Sequence, residues 1–153
     1  MARMEDLVES EQAHMRALAL PTFDTTPWVD GPPLAERRVA IVTTAGLGLR
    51  GDDGFGLGAA DYRVIPADTD SGDILMTHIS VNFDRTGFQD DVNVVFPIDR
   101  LREMAADGEI GSVAEFHYSF MGATDPAQLE GSARALAGMM REDKVNAVLL
   151  SPV

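Results

Sequence analysis

The run Val145-Asn146-Ala147-Val148-Leu149-Leu150-Ser151-Pro152-Val153 constrains this chain most. It is largely apolar, contains β-branched residues and follows a helical pattern, so it predicts a fully buried parallel strand. A strand of that kind needs helices over both faces of its sheet. In open α/β sheets the chemistry lies just past the carboxyl ends of the strands. The sequence stops at the tip of this strand. That position predicts a chain cut short where its active face begins.

The rest of the chain supplies the remaining layers. Val39-Ala40-Ile41-Val42 reads as a strand running into a glycine-rich stretch over 43–58. Tyr62 to Ile65 reads as a short strand, 66–75 as an acidic loop, and 74–79 as extended. Val92 to Phe96 predicts a strand closed by Pro97. A helix over 98–107 follows, with Ile98, Leu101, Met104 and Ala105 on one face and Gly108 as its C-terminal cap. Val113 to Phe120 alternates as a strand. Asp125-Pro126-Ala127-Gln128 then opens a helix, with a capping residue, proline at the first helical position and glutamine three past the cap. Leu129, Ala133, Leu136 and Met140 give that helix an apolar face. Before all this, residues 3–19 predict an amphipathic helix carrying Met4, Leu7, Val8, Met15 and Leu18. Residues 21–36, with Pro21, Pro27, Pro32 and Pro33, predict an extended arm pinned by Phe23 and Trp28. The domains are thus 1–36, a helix and arm packing on the body, and 37–153, the α/β body. The expected architecture is three-layer, doubly wound and flavodoxin-like, with a mostly parallel sheet whose C-terminal part is missing.

Composition removes several function classes. Acidic residues outnumber basic ones 25 to 12, for a net charge of −13. Nucleic acid or an anionic membrane would need a basic patch. The chain has no cysteine, which excludes disulfides, thiolate metal sites and cysteine nucleophiles within it. No apolar run approaches the ~20 residues of a membrane span. Glu5, Asp6, Glu9 and Glu11 are wrong for a signal peptide, so the cytoplasm is the expected location.

Four residue patterns could carry chemistry. Gly46-x-Gly48-x-x-Gly51 matches a dinucleotide-binding pattern after a strand, but the mechanism needs a helix to begin there. Asp52-Asp53-Gly54-Phe55-Gly56-Leu57-Gly58 is too glycine-rich for one, and its acids repel phosphate. His78, Asp84, Asp90, Asp91 and His117 are metal-ligating types at no recognised metal spacing, and read as hydrogen-bonded or solvated polar residues. Ser119 and Ser151 lack an elbow motif or a paired base. The loop Ser119-Phe120-Met121-Gly122-Ala123-Thr124-Asp125 joins a strand end to a helix start, where free N–H groups and the helix dipole suit a carboxylate.

The densest stretch runs from His78 to Leu101: His78-Ile79-Ser80-Val81-Asn82-Phe83-Asp84-Arg85-Thr86-Gly87-Phe88-Gln89-Asp90-Asp91-Val92-Asn93-Val94-Val95-Phe96-Pro97-Ile98-Asp99-Arg100-Leu101. It closely resembles the selenoprotein B family of the glycine/sarcosine/betaine/D-proline reductases. Leu20-Pro21-Thr22-Phe23, Pro27-Trp28, Arg38 to Gly46, Gly108 to Gly111, Ser119 to Gly122 and Val148 to Val153 are similar to the same family. The resemblance covers roughly 20–153. It implies an oxidoreductase subunit that cleaves a C–N bond reductively at the α-carbon of a small amino acid or amine. It also implies a selenocysteine or cysteine, with a second cysteine nearby, just after the terminal strand. Selenocysteine is encoded by UGA, which an ordinary host reads as stop, so the family accounts for a cysteine-free chain ending at Val153. The chain alone is then expected to be inactive and to hold no cofactor. A pyruvoyl group on a partner subunit is the implied substrate activator.

On this reading the carboxyl edge gathers 43–46, 96–98, 119–124 and 151–153. Thr44, Gly46, Ser119, Met121, Gly122, Ala123, Thr124 and Ser151 are the expected substrate-binding residues. His78 or Tyr118 assists proton transfer, and no metal site is expected. Apolar surface near 145–153 favours a homo-oligomer. Two other classes stand beside this one: a non-catalytic α/β binding or scaffold protein complete at Val153, and a nucleotide-binding protein using Gly46 to Gly51.

Overall fold

The computed structural model describes residues 3–17, 22, 24–26, 28–80 and 85–153. Strand β1 (Arg38–Thr43) is its centre. β7 (Ala147–Ser151) pairs with β1 in parallel from Val39↔Ala147 to Thr43↔Ser151. β5 (Ser112–Val113) and β6 (Phe116–Phe120) also pair with β1 in parallel, at Arg38–Val39 and Val42–Thr43 respectively. Their partners overlap those of β7, so they occupy the opposite edge of β1, as one ribbon interrupted at Ala114 and Glu115. β3 (Tyr62–Pro66) closes that side antiparallel to β6. A separate antiparallel pair joins β2 (Leu47–Leu49) to β4 (Ile74–Met76). The molecule is therefore mixed α/β with a mostly parallel main sheet. The flavodoxin-like order expected from the sequence does not emerge from these pairings.

Two apolar clusters hold the sheet. On one face Val39 and Ile41 pack with Ile65, Phe96, Ile98 and Leu101. The last two belong to α3 (Ile98–Ala106), which ends as expected at Gly108 with φ of 74°. On the other face Tyr118 and Phe120 pack under Leu136 of α4 (Glu130–Glu142), with Val42, Met139 and Met140 around them. The start signal of that helix works locally. Asp125 accepts from the Ala127 N–H at 3.0 Å, and Pro126 opens a single 3-10 turn before α4.

Three expectations are corrected. Residues 92–96 are not a strand. Val92–Val94 is a 3-10 turn; Val92, Val95 and Phe96 are buried while Val94 is exposed. Asp91 accepts from both the backbone and side-chain N–H of Asn93, whose Oδ1 accepts from the Asp99 N–H. This local capping chemistry outweighs the β-propensity of the valines. Second, β7 is not fully buried: Val148, Leu149 and Leu150 are 44%, 38% and 70% exposed. Among the described residues β7 pairs only with β1, and α4 lies over β1, β3 and β6 rather than over it. Third, Trp28 is 81% exposed and does not anchor the arm. Helix α1 (Glu9–Ala17) is shorter than expected and has no buried residue. Leu18, Pro21, Phe23 and Pro27 lie outside the described residues. A further helix, α2 (Thr86–Asp90), precedes the Val92 turn.

Candidate active site

The carboxyl ends of β1, β6 and β7 meet at one edge. The Thr44 N–H donates to the Ser151 carbonyl at 3.1 Å, continuing the β1–β7 ladder. The Gly46 N–H donates to the Phe120 carbonyl, and the Gly122 N–H to the Thr44 carbonyl, both at 2.9 Å. Ala45 bridges to Met121. The segments 43–46, 119–124 and 151–153 are thus drawn together. Phe96 is not at this edge; its ring lies edge-on to His117, the second residue of β6, 5.5 Å between centroids.

Two glycines permit the approach. Gly46 has φ of 64°, and a Cβ there would fall 2.9 Å from the His78 Cα. A Cβ on Gly122 would fall 2.8 Å from the carbonyl oxygens of both Thr44 and Val153. Glycine is needed at the first for backbone conformation and at both for space.

The side chains named from sequence are placed as follows. The Ser119 hydroxyl is fully buried and accepts from the Leu47 N–H at 2.7 Å. The Thr124 hydroxyl donates to the Ala59 carbonyl at 2.7 Å, and Met121 is buried. Gly122, Ala123 and Asp125 are the exposed residues of the loop. The Asp125 carboxylate already occupies the Ala127 N–H at the helix start. Ser151 is half-buried at the β7 tip. Ser119, Met121 and Thr124 therefore build the edge from beneath, while Gly122 and Ala123 face outward.

His78 lies against Gly46 on this edge and is buried. Its Nδ1 accepts from the Ser80 N–H at 3.1 Å. Arg85 donates to the carbonyls of His78 and Ser80, both at 2.6 Å. Burial first, and the Arg85 charge second, hold the His78 pKa below its ordinary value. Tyr118 is buried on the α4 side, edge-on to Tyr62, and its hydroxyl has no hydrogen-bond partner among the described residues. Burial raises its pKa. Sequence reasoning missed Thr77, whose hydroxyl donates to the Gly46 carbonyl at 3.3 Å and accepts from the Phe55 N–H at 3.2 Å. No local pattern marks it, because both partners are distant in sequence.

The glycine pattern 46–51 opens no helix; Leu47–Leu49 form β2 and turns follow. The phosphate-receiving helix terminus of a nucleotide site is absent there. Among the described residues no group of three His, Asp or Glu side chains could hold a metal ion. Asp84 lies outside the described residues. No helix among them is long and apolar enough to cross a membrane.

A family model described as glycine/sarcosine/betaine reductase selenoprotein B matches residues 10–153. D-proline reductase subunit gamma of Acetoanaerobium sticklandii is 34% identical over 121 residues, covering 77% of this chain and 49% of that protein. Glycine reductase complex component B subunit gamma of Symbiobacterium thermophilum is 29% identical over 142 residues, covering 86% of this chain and 32% of the relative. Betaine reductase complex component B subunit beta of Peptoclostridium acidaminophilum is 28% identical over 124 residues, covering 77% and 28%. The chain thus spans half the length or less of these relatives. No solved structure matches.

Proposed function

We propose that this chain, which belongs to the glycine/sarcosine/betaine reductase selenoprotein B family, is the substrate-binding part of a reductase subunit that cleaves a C–N bond at the α-carbon of a small amino acid or amine. The supporting observation is the convergence of three strand ends whose segments carry no acidic side chain, the Asp125 carboxylate that follows the second of them being held on the Ala127 N–H. Segments 43–46, 119–124 and 151–153 contain no Asp or Glu, although the chain carries 25. A selenolate or thiolate following β7 would meet hydroxyls, backbone amides and glycines there, and no acidic side chain of these segments would repel it.

A selenocysteine outside residues 1–153 would supply the nucleophile when present: a Se–C bond forms, the C–N bond breaks and its electron pair leaves with nitrogen, which takes a proton. The residues of this chain do the remaining work. The exposed Ala123 backbone seats the substrate's carboxylate, the Gly122 N–H being committed to the Thr44 carbonyl, on a frame built by Thr44, Gly46, Ser119, Met121, Gly122, Thr124 and Ser151. His78 rather than Tyr118 stands on the same edge. With Nδ1 accepting from Ser80, its neutral ring carries the proton on Nε2; to act as an acid toward the leaving amine it first takes up a second proton from solvent at Nδ1, at the expense of the Ser80 bond. A partner subunit carrying a pyruvoyl group would activate the substrate. The exposed apolar strip of β7 supports contact with a further segment, a partner or a second copy. The assignment is to a cytoplasmic complex.

The test is C–N cleavage by the complete gene product, purified with its complex and supplied with a dithiol: amine release from glycine, sarcosine and betaine and, from D-proline, release of the ring nitrogen as a primary amine on the opened chain. Release that disappears on alkylation with iodoacetamide is expected. No release from any of the four, together with no alkylated residue beyond Val153, would overturn the proposal.

A further inference from the structure

Strand β3 starts opposite Phe120, the last residue of β6, and runs antiparallel to it. The segment just before β3 therefore stands at the same carboxyl edge as 43–46 and 119–124. That segment, Gly54-Phe55-Gly56-Leu57-Gly58-Ala59-Ala60, holds no charged residue. It is pinned at two feet. At the first, Phe55 is buried with the Arg63 guanidinium 4.4 Å over its ring. The Phe55 N–H donates to the Thr77 hydroxyl, which donates in turn to the Gly46 carbonyl. At the second, the Ala59 carbonyl accepts from the Thr124 hydroxyl at 2.7 Å. Between the feet the Ala59 N–H donates to the Gly56 carbonyl at 3.2 Å, and Gly58 has φ of 70°. This places Leu57 at the second position of a turn, with glycine where a type II turn needs positive φ. Leu57 is 93% exposed, more than any other large apolar side chain among the described residues. A Cβ at Gly56 or Gly58 would meet nothing within 4 Å, so the apex stands clear of the body.

We infer that Leu57 determines the specificity of the candidate site by closing over apolar carbons of the substrate, a role that rests on the function proposed above. One foot of the loop rests on Gly46, against which His78 lies. The other rests on Thr124, next to Ala123. The apex thus hangs between the end that serves the amine and the end that seats the carboxylate. A leucine there can recognise only hydrocarbon beside the reacting C–N bond, which means an N-methyl group or ring methylenes. Glycine offers no carbon of that kind. The substrate class is therefore an amino acid alkylated on nitrogen or closed into a ring. In water the leucine gains nothing from its position, whereas burial against such carbons is favourable. The glycines on either side of it let the apex swing while Phe55 and Ala59 stay fixed.

The experiment compares the native protein with Leu57→Ala, which removes the apolar reach, and Leu57→Met, which keeps it. All are made in the complete gene product within its complex. Two quantities are read: kcat/KM for C–N cleavage of glycine, sarcosine, betaine and D-proline, and deuterium exchange of the 56–60 amides. Exchange is followed without dithiol, with and without the fastest-cleaved of the four. Sarcosine, betaine or D-proline is expected to be cleaved faster than glycine. Leu57→Ala is expected to lower its kcat/KM at least about tenfold, to move that of glycine less than about twofold, and to leave the melting temperature unchanged. Leu57→Met is expected to restore the rate, and substrate to slow exchange at 56–60 in the native protein. A preference for glycine, or a Leu57→Ala variant that cleaves like the native protein, would overturn the inference and leave the proposed function standing. So would equal losses for glycine and the alkylated substrates, or exchange at 56–60 that ignores substrate. Cleavage of none of the four would remove the proposed function and this inference with it.

Discussion

His117 gives a quantitative test of how this sheet is held. It is fully buried in β6, and its Nδ1 accepts from the Ile41 N–H at 3.0 Å. The neutral ring therefore carries its proton on Nε2, which has no partner among the described residues. Protonating Nδ1 as well would break the Ile41 bond and place a charge in the core. Burial foremost, then Arg102 and Arg38 against the opposing pull of Asp143, lowers its pKa from 6.5 to about 4. The folded value lies below the unfolded one, so the unfolded chain takes the proton first as pH falls. The stabilisation is present above pH 6.5 and is lost on descending through about 4. Fully expressed it is about 3 kcal/mol, of which about 2 kcal/mol is lost between pH 7 and pH 5. The assay is urea unfolding at both pH values for the native chain and His117→Asn, whose side-chain oxygen can still accept from Ile41. The carboxylates titrate in both proteins, so the difference isolates the imidazole. The variant should start about 1–3 kcal/mol lower, from the smaller side chain, yet lose about 2 kcal/mol less on acidification. Parallel losses in the two proteins would refute the picture of a histidine kept neutral by its surroundings.

Other substitutions probe the edge and the frame. Gly46→Ala should cost at least about 2 kcal/mol by urea unfolding, combining a left-handed backbone with a clash at His78; an unchanged midpoint would mean the contact is not real. Leu150→Lys, at a side chain 70% exposed, should leave stability within about 0.5 kcal/mol and reduce self-association in sedimentation velocity. Asp143→Ala should cost about 1–3 kcal/mol, since it removes the carboxylate paired with Arg38 and leaves the Glu115 N–H without its acceptor, while Arg38 keeps the carbonyls of residues 143 and 113; thermal melting reads it directly. Asp125→Ala should lower stability by about 1 kcal/mol through loss of the cap at the start of the helix.

What could be read from sequence was local. The cap at Asp125, the proline after it and the glycine at 108 each act within a few residues, and the structure uses them as expected. Residues 92–96 misled because four apolar side chains suggested a strand, while the Asp91–Asn93 pair two residues apart set a turn. The apolar run 147–150 showed that a strand forms there. Its burial depends on what lies beside it, which a one-dimensional pattern does not contain. Trp28 failed for the same reason. At the edge, the meeting of strand ends follows from a general rule of parallel sheets. The commitments of Ser119 to Leu47 and Thr124 to Ala59 do not, because each spans more than sixty residues.

The placement of β1 has a consequence for biosynthesis. Its flanks are supplied by residues 112–120 on one side and 147–151 on the other. While the ribosome is still making those residues, the middle strand has no neighbours to satisfy its amides, although Ile65, Phe96, Ile98 and Leu101, which pack with Ile41, are made earlier. Sequence separations of this size slow the search for native pairings. The nascent polypeptide must therefore carry an open, apolar ribbon through most of its synthesis, which makes it a natural client for holdase chaperones and prone to clumping where they are scarce.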